Sequence, residues 1–390
     1  MSGKTPSGIG LGLVLVMGLA SGVAKGDGRE GGTLGSVTKE SWGRLPDGQS
    51  AHLYTLKNAA GMTIKVTDYG GIIVSLTAPD RNGKFADIVL GYDTLDAYVA
   101  NNPYFGAAIG RYGNRIAGGR FTVDGKSCTL ETNNEPGGIP CHLHGGVKGF
   151  DKVMWDVEAI VRDGAVGLKL HHMSPDGAGG YPGNLDVTMH YWLSDDNALR
   201  IEFEATTDQA TPVNLTNHSY FNLGGHDSGA ILNHDLMIRA DHITAVDKGL
   251  IPTGEMMSVD GTPFDFRTPT AIGKRIGVDD AQLKVGPGYD HNFVLSRWDG
   301  KLRSAVIVHE PRSGRTLEIE TTEPGIQFYS GNFLDGSNVG KGGHAYLYRT
   351  GFCLEPQHYP DSPNQPSFPS TILRPDERYS HTSVYRFTAK

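Results

Sequence analysis

The sequence predicts an all-β protein built as a large antiparallel sandwich or barrel. Three observations carry this. Nearly every periodic segment alternates apolar and polar residues with period two, the signature of a half-buried strand. Clusters of Gly, Pro, Asn and Asp punctuate these segments at short intervals, as in Pro79 to Gly83, Ser174 to Gly177 and Ser194 to Asn197. Helical periodicity is thin, and Asp93 to Ala100 is the best short candidate.

In chain order, Met62 to Val66 alternates over one turn-bounded segment, and Ile88 to Leu90 is a short apolar run. Val153 to Val157 and Gly167 to Leu170 follow, then Leu185 to Leu193 and Leu199 to Ala205, the two longest alternating stretches. Ala305 to His309, Leu317 to Glu320 and Ser383 to Phe387 complete the set. Neither a fixed-period repeat nor a second composition regime interrupts residues 37–390, which read as one domain. The chain has 390 residues, 38% hydrophobic and 20% charged, enough apolar material for a large core. Its net charge of −8 gives nucleic acid no electrostatic footing.

Residues 1–24 differ from the rest. Lys4 precedes an apolar run from Ile9 to Ala20, and Gly22 and Ala24 supply small residues where a signal peptidase cuts. The expectation is a cleaved signal peptide, a flexible leader over 25–36 and a periplasmic or secreted protein. The apolar run is too short and glycine-rich for a stable span, so no membrane span is expected after cleavage. Cys128, Cys141 and Cys353 are the only cysteines. Cys128 and Cys141 are the conceivable pair, but three cysteines are no disulfide framework and buried thiols are the preferred reading. Nothing in the sequence sets the oligomeric state, monomer or dimer.

Several strand ends run into polar, glycine-bounded clusters. Gly351 to Leu354 delivers Glu355 directly before Pro356, which is expected to stop the ladder and leave the carboxylate where a strand opens into a loop. Asn214, Thr216, His218 and Tyr220 share one face of an alternating segment, with Leu215, Asn217, Ser219 and Phe221 on the other. Arg111 and Arg115 stand among glycines that permit close ligand approach, although solvated arginines on a turn are the plainer reading of that pair alone. His142 and His144 are read as a poor metal pair, and a structural or surface role is the plain alternative. Asp290 with His291, and Gln327 with Tyr329, sit at two further turn-to-strand junctions.

Taken together, GNRI at 113–116, HLHGG at 142–146, NLTNHSYFNL at 214–223, YDHNF at 289–293, PGIQFYSGNF at 324–333 and GFCLEPQHYPDSPN at 351–364 resemble the aldose 1-epimerase (galactose mutarotase) family, in the same order and over roughly residue 40 to the end. The resemblance implies a large twisted antiparallel β-sandwich of the galactose mutarotase-like supersandwich type. It implies a free aldose as substrate, with no cofactor and no metal. It implies Glu355 as general base and His218 as general acid. It also implies Asn114, Arg115, His144, Tyr220, Asp290 and Gln327 as sugar-binding groups. Two departures stand out: Pro356, where the family has a small polar residue, and the apparent export signal. The competing functions are a glycosidase using Asp290 and Glu355 as its carboxylate pair, a non-catalytic carbohydrate-binding module, and a hexose-phosphate epimerase, for which no phosphate clamp beyond Arg115 is found.

Overall fold

The structure, a computed structural model, describes residues 35–390. The expected signal peptide and all but the end of the expected leader lie outside the described residues; the first strand already begins at Ser36. Three antiparallel sheets organise the chain. A five-stranded sheet runs in sequence order through Ser36–Arg44, Ser50–Lys57, Thr63–Thr67, Ile73–Pro79 and Phe85–Asp87. A nine-stranded sheet starts with Asp156–Arg162, Ala165–Ser174, Leu185–Ser194 and Ala198–Thr207, and continues through Tyr379–Ala389 to Arg315–Thr321, Arg303–His309, Asp235–Ile238 and Thr270–Ala271. The last long strand of the chain therefore joins the two halves of that sheet. A six-stranded sheet orders Tyr220–Phe221, Phe352–Gln357, Gly325–Tyr329, Asp290–Leu295, Ala240–Val246 and Pro252–Ser258.

The alternation does what the sequence predicts. Leu185, Val187, Met189, Tyr191 and Leu193 are buried while their neighbours are partly exposed. They join one core with Leu56, Ile64 and Leu76 of the five-stranded sheet and Phe293, Phe328 and Leu354 of the six-stranded sheet. The six-stranded sheet departs from the simple rule in a way that matters for function. Gly325–Tyr329 and Phe352–Gln357 are buried on both faces. Ile326, Phe328, Phe352 and Leu354 point into the apolar core, and alternation sends Gln327, Tyr329, Cys353, Glu355 and Gln357 to the opposite face. A buried face this polar must be matched by hydrogen bonds or by a ligand.

Several local expectations need correction. The strand carrying Glu355 does not end at Pro356. It runs to Gln357, with Pro356 opposite Ile326 and Gln357 opposite Gly325. Proline is tolerated because on the other flank the pairing ends at Cys353 opposite Tyr220, so one edge is already free where the donor is missing. Ile88 to Leu90 forms only a bridge from Val89 to Phe221, and the strand expected from Val153 starts at Asp156. The expected short helix spans Leu95–Ala100, its first turn capped by the Thr94 side chain accepting from the Ala97 N–H. A second, unanticipated helix, Ala281–Val285, is capped by Asp280. All three cysteines are free thiols. Among the described residues no helix is long and apolar enough to cross a membrane.

Candidate active site

A cavity of about 420 Å³ opens over the polar face of the six-stranded sheet. Its floor takes Asp290, Tyr329 and Glu355 from three adjacent strands. His218 and Tyr220 project from the neighbouring chain segment, two residues apart and therefore on the same side, with rings stacked at 5.1 Å. Asn114 and Arg115 enter from the glycine-rich loop, and His144 from the end of the strand Cys141–Leu143.

The loops that bring in Asn114 and His144 are strained and mutually fixed. Asn114 has φ 61° and His144 φ 50°, and Tyr104, which packs against His144 at 4.7 Å, has φ 66°. Such conformations persist only where the surroundings impose them, and they concentrate at functional sites. Here the Asn114 N–H donates to His144 Nδ1 at 3.1 Å, and the His144 N–H donates to the Asn114 carbonyl at 3.1 Å.

That pair of bonds decides the chemistry of His144. Its Nδ1 accepts a backbone proton, so the neutral ring carries its own proton on Nε2, and a second proton would require breaking the bond to Asn114. Burial, then His218 and Arg115, hold its basicity well below the ordinary imidazole range. His144 is thus a permanent neutral donor. His144, His218 and Glu355 offer ligand atoms within 4.8 Å of one another, a donor set that zinc favours. Yet the nitrogen His144 would have to offer is the protonated one, so the trio suits hydrogen bonding and proton transfer better than metal ligation.

His218 is differently placed. Its Nδ1 faces the Cys353 thiol at 3.5 Å, a group that can either donate or accept, so this ring can gain and lose a proton. Its Nε2 lies 3.6 Å from Glu355 Oε1, with side chains 7% and 2% exposed. Glu355 Oε2 has no partner. Burial lowers the His218 pKa to about 4. Burial first and Asp290 second push the Glu355 carboxyl well above the usual carboxylate range, with Arg115 opposing. Both shifts favour the uncharged form of each group. An acid and a base this close can serve two oxygens attached to one carbon.

The remaining wall groups are polar and mostly committed. Arg115 Nε donates to Asn134 at 3.2 Å, and the Arg115 N–H donates to Asn114 Oδ1 at 2.9 Å. Burial raises the Asp290 pKa, against Arg115 and Gln327. Gln327 itself does not line the cavity; it donates to Asp290 Oδ1 at 2.7 Å from behind. Arg111 is spent elsewhere, on the hydroxyl and carbonyl of Ser174 and the carbonyls of Pro175 and Pro182. His142 bonds the Glu131 carbonyl and the Tyr181 hydroxyl, which makes it structural. Sequence reasoning missed Tyr104, Asn134, Glu135 and Phe333 on the wall. Of these, Tyr104 has the one strong marker, its positive φ, and that is visible only in the fold.

A family model described as Aldose 1-epimerase matches residues 52–386. The galactose mutarotase of Homo sapiens is 45% identical over 355 residues, covering 91% of this chain and 99% of that protein. The aldose 1-epimerase of Escherichia coli is 42% identical over 348 residues, covering 88% of this chain and 97% of that protein. Among solved structures, the galactose 1-epimerase of Lactobacillus acidophilus superposes with a TM-score of 0.78 at 27% identity, covering 91% of this chain and 99% of that one. An aldose epimerase homologue from C. elegans gives 0.75 at 32% identity, covering 85% and 96%.

Proposed function

This chain belongs to the aldose 1-epimerase family and interconverts the α and β anomers of aldose sugars, and from that premise we propose that Glu355 is its general base and His218 its general acid. The observation that carries the assignment is the 3.6 Å approach of His218 Nε2 to Glu355 Oε1 in a buried cavity. The Glu355 carboxylate takes the proton of the anomeric hydroxyl while imidazolium His218 gives one to the ring oxygen. The bond from the anomeric carbon to the ring oxygen breaks and an aldehyde forms. Rotation of the aldehyde presents its other face. The ring oxygen then attacks, returning its proton to His218, and Glu355 protonates the new anomeric oxygen.

The pair holds one proton before and after ring opening; only its position changes. Burial that favours neutral carboxyl and neutral imidazole therefore lowers the cost of the open-chain state. Proton transfer of this kind contributes ~10²–10⁴-fold. His144 adds a neutral Nε2–H donor beside the reacting oxygens. Asn114, Arg115, Tyr220 and Asp290 hold the remaining hydroxyls, and Gln327 contributes by orienting Asp290. The wall carries carboxyl groups at Glu135, Asp290 and Glu355 against the single guanidinium of Arg115, which suits neutral hexoses such as glucose and galactose and opposes a sugar phosphate. Polarimetry with freshly dissolved α-D-galactose and α-D-glucose tests the reading: wild-type protein speeds the decay of rotation and Glu355→Gln does not. Wild-type protein with no effect on either sugar overturns it.

Export completes the proposal. The apolar run at 9–20 and the small residues at 22 and 24 support cleavage after Ala24. Intact-mass measurement on protein from the periplasm or medium should give the chain from Lys25; only full-length chain in the cytoplasm contradicts it.

A further inference from the structure

Asn214 does not line the cavity, yet it is completely buried and every polar atom of its amide is in use. Its Oδ1 accepts the His358 N–H at 2.9 Å, and its Nδ2 donates to the His358 carbonyl at 3.1 Å and to the Gly113 carbonyl at 3.2 Å. Its backbone joins the same neighbours: the Asn214 N–H donates to Arg111, and the Asn214 carbonyl accepts from Gly113 at 2.6 Å. Gly113 immediately precedes Asn114 and Arg115, His358 follows Glu355 on the strand exit, and Asn214 itself precedes His218 on its own segment. One amide therefore ties together the three stretches of chain that carry the base, the acid and the guanidinium.

We propose that Asn214 is a positioning residue for the acid–base pair, its amide setting the separation of Glu355 from His218 and the presentation of Arg115. The proposal rests on the assignment of Glu355 and His218 given above. The path from one reacting group to the other runs from Glu355 along the backbone to His358, across the two hydrogen bonds to Asn214, and along the backbone to His218. A second link, the pairing of Cys353 with Tyr220, joins the same two segments from the other side, so the Asn214 amide closes the clamp where the strand runs on past Glu355. A carboxamide suits the task because it is at once acceptor and double donor. Both groups must reach oxygens on a single carbon, so small displacements are expensive: a misplacement near 1 Å can cost ~10²-fold in rate.

The test is polarimetric kcat and KM for Asn214→Ala, with the same substitution placed on Glu355→Asp, which keeps a carboxylate but retracts it. A positioning role predicts a kcat loss of about 10–100-fold for Asn214→Ala in folded protein, a smaller change in KM, and a loss of only a few-fold on the Glu355→Asp background, because the separation it guards is already lost. A kcat within twofold of wild type, or an equal loss on both backgrounds, overturns the proposal. If Asn214→Ala fails to fold, Asn214→Asp decides. It keeps the acceptor towards the His358 N–H but turns a carboxylate on the two carbonyls, so kcat should be low at neutral pH and recover as that carboxyl is protonated. Near-wild-type kcat with a wild-type pH profile overturns the proposal. Glu355→Gln measured alongside separates the two failures: near-wild-type turnover in it removes the acid–base assignment itself, whereas an inactive Glu355→Gln with a normal Asn214→Ala removes only the role of Asn214.

Discussion

Replacing His218 by asparagine separates proton transfer from sugar binding. Two imidazoles border Glu355, and the geometry assigns them unequal roles. His144 keeps Nδ1 bonded to the Asn114 N–H at 3.1 Å and cannot take a second proton without losing that bond. His218 has only the Cys353 thiol on its Nδ1 and points Nε2 at the carboxylate. His144 therefore makes a poor substitute acid, and His218→Asn should forfeit most of one acid's contribution, ~10²–10⁴ in kcat, or about 3–5 kcal/mol of barrier. The asparagine retains a polar donor in the cavity, so KM should change by no more than a few-fold. Arg115→Ala and Asp290→Ala should show the contrasting pattern, a raised KM with a lesser fall in kcat, because they remove contacts made in ground and transition states alike. The assay is polarimetric kcat and KM, with circular dichroism to confirm folding. An unchanged kcat in folded His218→Asn refutes the reasoning and transfers the acid role to His144.

Gln327→Leu should act on Asp290 without touching the sugar: the buried carboxyl loses its 2.7 Å donor, so KM should rise and unfolding free energy fall by about 1–3 kcal/mol, measurable by polarimetry and urea titration. The buried Glu323–His358 pair, at 2.5 Å, should give stability a pH optimum. Burial works to raise the Glu323 pKa, but His358 and His381 overcome it and hold it low, so its contribution is lost as pH falls through the lowered value. Burial works to lower the His358 pKa, but Glu323 overcomes it and holds it high, so that contribution is full below the ordinary imidazole value and lost as pH rises through the raised one. The pair should thus support the fold most between about pH 4.5 and 6.5, and Glu323→Gln should flatten urea midpoints across that window; an unchanged profile contradicts the coupling.

The strands of the large sheet could be read from residues alone because one face meets the core and the other meets water, as in Leu185–Ser194. The six-stranded sheet is harder. Glu355 and Gln327 alternate with apolar residues just as surface groups would, and only the covering loops turn that face into a cavity floor. His218 and Tyr220 were recognisable as sharing a side because period two places them so, and the structure sets both on the cavity wall. Arg111 and Arg115 could not be ranked from spacing: the loop path sends one to the carbonyls of Ser174, Pro175 and Pro182 and the other to the cavity. Pro356 misled because the rule that proline ends a ladder depends on whether the other edge is paired, which is a tertiary fact. Tyr104 and Phe333 were missed because aromatic residues in loops carry no local mark of facing a ligand.

The decisive measurement is the polarimetric rate of Glu355→Gln on α-D-galactose, with sugar binding followed by calorimetry on the same sample. The amide keeps the shape of the carboxyl group at the 3.6 Å contact with His218 but cannot take the anomeric proton. Catalysed mutarotation should be lost while the protein stays folded and still binds sugar. A folded Glu355→Gln protein turning over at close to the wild-type rate contradicts the assignment of the base.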